Sequence, residues 1–102
     1  MQINAEYRNN VLYITPIGEM DEHSAREARW MADKLADEHA RSERAVFDLA
    51  QVSFMDSTGI GFLIGRYKKF RRYGVPTYIT GVTQSLDKIL SMSGVYTLMP
   101  RI

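Results

Sequence analysis

From Asp56 to Gly65 the chain reads DSTGIGFLIG, an acid and two hydroxyls followed by three glycines among apolar residues. Three chemistries draw on such residues. A glycine-rich loop cradles phosphate with its backbone N–H groups. Here, however, Gly59, Gly61 and Gly65 are spaced G-x-G-x-x-x-G, one residue out of register with the dinucleotide fingerprint, and no phosphate-loop lysine follows. A nucleophilic Ser57 needs a base within hydrogen-bond reach. The two histidines are His23, read as lying in the loop before a first helix, and His39, on that helix's apolar side. No G-x-S-x-G elbow surrounds Ser57, and no group is set to orient His23. Third, a hydroxyl at a helix start can cap free N–H groups, and the helix dipole favours a phosphate added there. A cap formed by Ser57 or Asp56 and a phosphoacceptor at Ser57 are compatible, and spacing alone leaves both open.

Metal and thiol chemistry have less to work with. Asp21, Glu22 and His23 are consecutive, with no second cluster of ligand types. The chain has no cysteine, which excludes disulfides and thiolate metal sites. No cofactor is expected. The 13 basic and 12 acidic residues leave a net charge of +1, so there is no field for general capture of nucleic acid or an anionic membrane. No apolar run approaches the roughly 20 residues that span a bilayer, and the N-terminus lacks a signal-peptide pattern. A cytoplasmic protein is the expectation.

The elements that must position these residues fit one domain over residues 1–102. QINAEYR and VLYITPIG read as an antiparallel hairpin turned at Asn9 and Asn10, and Pro16 suggests an edge or strand end. Ser24 and Glu27 fit a capping box, and Ala28, Met31, Ala32, Leu35 and His39 form the buried stripe of a first helix. Trp30 falls about 160° from the centre of that stripe, as cover for a loop or a contact for a partner. AVFDLA is a buried strand, and QVSFMD leads off its end. STGIGFLIGRYKKFRRYG is a second helix with Ile60, Leu63, Ile64 and Tyr67 on one face and Gly74 as its stop. VPTYITGV is a strand, TQSLDKILSMSG a short helix closed by Gly94, and VYTLMP a last strand. The order β-β-α-β-α-β-α-β gives an α/β fold, a mostly parallel or mixed sheet of about five strands with helices packed on it. Ser57 then lies where a strand hands over to a helix, the usual place for binding and chemistry in such sheets.

Several of these segments resemble one family. VFDLAQVSFMDSTGIGFLIGRYKKFRRYG is similar to the central signature of STAS domains, in particular the anti-sigma factor antagonists, whose D-S-[ST]-G-[LI]-G motif matches Asp56 to Gly61. GRYKKF resembles the sporulation branch of that group, GEMDEHSA its loop before the first helix, and LSMSGV a late element. The resemblance implies a STAS fold and a regulatory protein without catalysis. In its unphosphorylated form such an antagonist binds an ATP- or ADP-bound anti-sigma factor that is also a serine kinase, and so frees a sigma factor. The kinase phosphorylates the motif serine, here Ser57, the antagonist lets go, and a PP2C-type serine phosphatase reverses the step. Asp21, Asp56, Thr58, Gly59, Gly61, Phe62 and Gly65 are the expected partner-binding residues. Gly61 and Gly65 share a side of the helix with Ser57 and form a low strip. Phe62 is read as a partner contact or cover for a sheet edge. The cluster Arg66, Lys68, Lys69, Arg71 and Arg72 is read as a solvated helix end. A monomer is expected when free. The family's usual final helix is not read before Ile102. A subunit of a larger STAS assembly, a small-ligand sensor, and a hydrolase using Ser57 and His23 are the alternatives.

Overall fold

Asn9 and Asn10 reverse the chain with left-handed backbone angles, φ 53° and 65°. This is the two-residue hairpin geometry that asparagine tolerates. It joins β1 (Gln2–Arg8) to β2 (Val11–Met20) antiparallel, with Arg8 opposite Val11 and Gln2 opposite Ile17. The computed structural model describes all of residues 1–102. After the hairpin come α1 (Glu22–Glu38), β3 (Arg44–Asp48), β4 (Val52–Met55), α2 (Ser57–Arg72), β5 (Thr77–Thr80), α3 (Gln84–Ser93) and α4 (Val95–Leu98). No helix is long and apolar enough to cross a membrane.

The sheet is five-stranded and mixed, ordered β1-β2-β3-β5, with β4 also paired to β2. β2 changes partner along its length. Val11 to Ile14 run parallel to β3, and Gly18 to Met20 run parallel to β4. Gly18 has φ 107°, a backbone that a side chain strains, and the register to β4 shifts immediately after it. Pro16 was expected at an edge or strand end. It lies instead in an inner strand, within the interval between the two parallel partners, where a residue without an N–H leaves no ladder bond unmade.

Two elements correct the expected order. Val52–Met55, read as connecting chain, is strand β4. Only pairing with distant β2 makes it one, and its burial pattern lacks the alternation that betrays a strand. Val95–Leu98, read as a strand, is one helical turn. Gly94 closes α3 in the left-handed region at φ 80° and redirects the chain into α4. What strand pairing this end makes comes later, as an isolated parallel bridge between Arg101 and Ile79.

The core lies between the sheet and the helices. Leu12 and Ile14 of β2, Ala45 and Phe47 of β3, and Ile79 of β5 meet Phe62, Leu63 and Phe70 of α2. The ring of Phe47 meets those of Phe62 and Phe70 edge to face, at 6.5 and 6.2 Å. α1 buries Ala25, Ala28, Ala32 and Ala36. Its buried stripe is therefore rotated from the expected one. Met31 is exposed, and His39 is half-buried and stacked on Tyr7 at 4.6 Å. The smallest residues face inward because close helix packing selects for small size as well as apolarity.

Candidate functional site

Met20 and Met55 are opposite one another at the ends of β2 and β4. The next residues, Asp21 and Asp56, therefore leave the same end of the sheet side by side. Each is the N-cap of the helix it begins. Asp21 Oδ1 accepts from the Ser24 backbone N–H at 3.0 Å and from the Ser24 hydroxyl at 3.0 Å. These bonds, the backbone one first, hold the Asp21 carboxyl below its ordinary pKa of 3.8. The capping box is thus Asp21 with Ser24, and the expected Ser24–Glu27 box starts the helix three residues late. His23 accordingly sits in the first turn of α1, exposed, and not in a preceding loop.

Asp56 Oδ1 accepts from the Thr58 N–H at 2.9 Å. That bond assigns the cap of α2 to Asp56. Ser57, the first residue of the helix, is exposed, and its hydroxyl has no partner within the chain. Thr58 behind it is half-buried.

The three motif glycines separate into two roles. A methyl group at Gly59 would collide with Met55 Cγ and come within 3.1 Å of Met20 Cβ, so Gly59 lets α2 dock tightly where β2 and β4 end. Gly59 is buried, which corrects its reading as a surface contact. Gly61 and Gly65 face open space, with nothing within 4 Å of an added methyl. Phe62 is corrected too: it is fully buried and packs on Phe47. The buried face of α2 is Gly59, Phe62, Leu63, Arg66 and Phe70, while Ile60, Ile64 and Tyr67 are half-buried beside it. Arg66 is therefore not part of a solvated helix end. It is 7% exposed and pairs with Asp33 of α1, Nε to Oδ1 at 2.8 Å.

Beside Ser57 an open groove of about 530 Å³ runs between α2 and α3. Ser57 and Ile60 form one wall, Ser85, Lys88, Ile89, Met92 and Ser93 the other. Met92 is 79% exposed, an unusual degree for a large apolar residue. The sequence reading missed this α3 wall. Its available signal was that Ile89 and Met92 fall outside the Leu86–Leu90 core stripe. His23 does not line the groove, and no group of three or more His, Asp or Glu side chains converges anywhere as a metal site. Trp30 is 66% exposed on α1, with Lys34 Nζ 5.4 Å from its ring centre.

Comparison with known proteins agrees with this architecture. The STAS domain family model matches residues 2–102. The anti-sigma F factor antagonist of Paenibacillus polymyxa is 33% identical over 100 residues, which are 98% of this chain and 85% of that protein. Among solved structures, an anti-sigma factor antagonist from Mycobacterium paratuberculosis has a TM-score of 0.85 at 18% identity, covering 98% of this chain and 83% of that one. The Bacillus cell fate determinant SpoIIAA, in its phosphorylated form, has a TM-score of 0.71 at 22% identity, covering 99% and 91%. At these identities the structures speak for the fold, and the relative and family model for descent. The chain belongs to the STAS domain family.

Proposed function

We propose that the chain is an anti-sigma factor antagonist that docks through the end of the sheet where α2 begins. Its partner is an ATP- or ADP-bound anti-sigma factor serine kinase, which phosphorylates Ser57, and a PP2C-type serine phosphatase restores the free hydroxyl. The observation that carries the reading is the division of labour between Asp56 and Ser57. The carboxylate satisfies the helix end, so the neighbouring exposed hydroxyl is free for a kinase. The low strip of Gly61 and Gly65 and the apolar groove of Ile60, Ile89 and Met92 adjoin it as surface for the partner. Asp21, which caps α1 at the same end of the sheet as Asp56, is a further residue for that partner.

The switch is electrostatic. A phosphate on Ser57 adds about 1.5 to 2 negative charges next to Asp56. Against a docked partner that brings like-charge repulsion and desolvation, and a loss of about 3–4 kcal/mol weakens binding hundreds-fold. Incubating the protein with candidate kinase and ATP, then mapping fragments by mass, tests the assignment. One phosphoryl group on Ser57 is expected; modification at Thr58, or none with a kinase that forms the complex, overturns it.

A further inference from the structure

Farther along α2 a second concavity opens over Gly65, about 12 Å along the helix axis from Ser57 at 1.5 Å per residue. This cleft of about 260 Å³ is lined by Asp33, Gly65, Arg66, Lys68, Lys69 and Arg72, with no apolar residue among them. Arg66 is its floor. Arg66 is paired with Asp33, and its Nε and Nη1 are closed off from solvent, so it is the small exposed remainder of its side chain, 7% of the residue, that faces the cleft. The guanidinium carbon lies 5.3 Å from the centre of the Phe62 ring. Lys69 is held by Asp37 at 2.9 Å. Counting Asp37 with Asp33, cations around the cleft still outnumber carboxylates by four to two, and Arg29 adds to the field at Arg66. Gly65 leaves the entrance clear, with nothing within 4 Å of the place a side chain would take.

We propose that this cleft is a binding site for the phosphate group of a small ligand, with Arg66 at its base and Lys68, Lys69 and Arg72 at its rim. Acceptor oxygens in the cleft would meet the exposed remainder of Arg66 together with the rim cations, where only Asp33 and Asp37 stand against four positive charges. Several cations around one opening suit a multiply charged oxyanion better than a single carboxylate. The site lies about two turns along α2 from Ser57 and shares Gly65 with the strip proposed for the partner, but its phosphate binding does not rest on that partner.

The test is a titration of the full chain with inorganic phosphate, followed by amide NMR at constant ionic strength, with sodium chloride and acetate as controls. Saturable shifts confined to Asp33, Gly65–Lys69 and Arg72 are expected with phosphate alone. Lys68→Gln should weaken the response about tenfold, the loss of one charge-assisted contact. Gly65→Leu, whose side chain enters the opening, should abolish it while the remaining spectrum shows an intact fold. The absence of a saturable response, an equal response to chloride or acetate, or phosphate shifts unchanged by both substitutions each overturns the proposal.

Discussion

Replacing Gly59 and, separately, Gly61 by alanine adds the same methyl group to opposite faces of α2. Alanine is favoured over glycine in a helix interior by about 1 kcal/mol. At Gly61 nothing lies within 4 Å of the new carbon, so that gain is realised in full. For a domain of this size about 1 kcal/mol raises the melting temperature by roughly 4–8 °C. At Gly59 the methyl overlaps Met55 Cγ and comes within 3.1 Å of Met20 Cβ and 3.3 Å of Met55 Sδ. Both methionines are buried, so relief requires Met55 to leave its place in the core. Overpacking of this kind costs about 1–3 kcal/mol. The propensity gain is also smaller in the first turn, so the net effect is a loss of about 1–2 kcal/mol.

Urea unfolding measures both variants against the parent. The expected result is a higher midpoint for Gly61→Ala, a lower one for Gly59→Ala, and unchanged slopes. Gly59→Ala unfolding at or above the parent midpoint would refute the close docking of α2. A lower midpoint for Gly61→Ala would refute the open strip. Binding separates the roles further. Gly61→Ala should be better folded and yet bind the anti-sigma kinase more weakly, because its methyl stands on the surface offered to the partner.

Two further substitutions probe the same end of the sheet. Ser57→Ala should bind the kinase as well as the parent and resist release by ATP, while Ser57→Asp should bind more weakly. Equal affinities for these two variants in titration calorimetry contradict a switch based on charge. Asp21→Ala removes the cap of α1 and should lower the melting temperature at pH 7. Because folding depresses the Asp21 pKa, its contribution is complete above the ordinary value of 3.8 and fades as pH falls through the folded value. The gap between parent and variant should therefore close in acid. A gap that stays constant from pH 7 down to pH 2 removes the charged cap as its cause.

Local chemistry was legible in the sequence, and distances between elements were not. Asn9 and Asn10 declare their hairpin because the turn's backbone needs residues that tolerate the left-handed region. Gly94 declares the end of α3 for the same reason. β4 is hidden because its four residues are a strand by virtue of β2, more than thirty residues earlier in the chain. The rotation of α2 is hidden for a related reason. Its most apolar-looking face is Ile60, Ile64 and Tyr67, but Gly59 can approach Met20 and Met55 more closely than any of these. That contact turns Phe62 and even Arg66 inward, and a buried arginine breaks the apolar period by which the face would be read. The motif therefore located Ser57 correctly at a strand-to-helix junction but spread the partner surface over residues that belong to the core.

The assignment of the cap to Asp56 constrains how a phosphate on Ser57 can act. The Ser57 hydroxyl makes no bond within the chain, so modification breaks none. The first residue of a 16-residue helix lies at its positive end, where an added anion is favoured. Gly59 holds this end of α2 on Met20 and Met55 whether Ser57 is modified or not. Within the chain the phosphate meets one like charge, the Asp56 carboxylate that caps α2, and the positive helix end offsets it, so the loss of affinity is expected to arise at the interface, from charge and desolvation. It follows that the phosphorylated protein should unfold at the same temperature as the unmodified one, or slightly higher, with its amide spectrum changed only around Ser57 and the adjoining groove. A lower melting temperature, or shifts spread through the sheet, would mean that the switch works through the fold and that the surface mechanism is wrong.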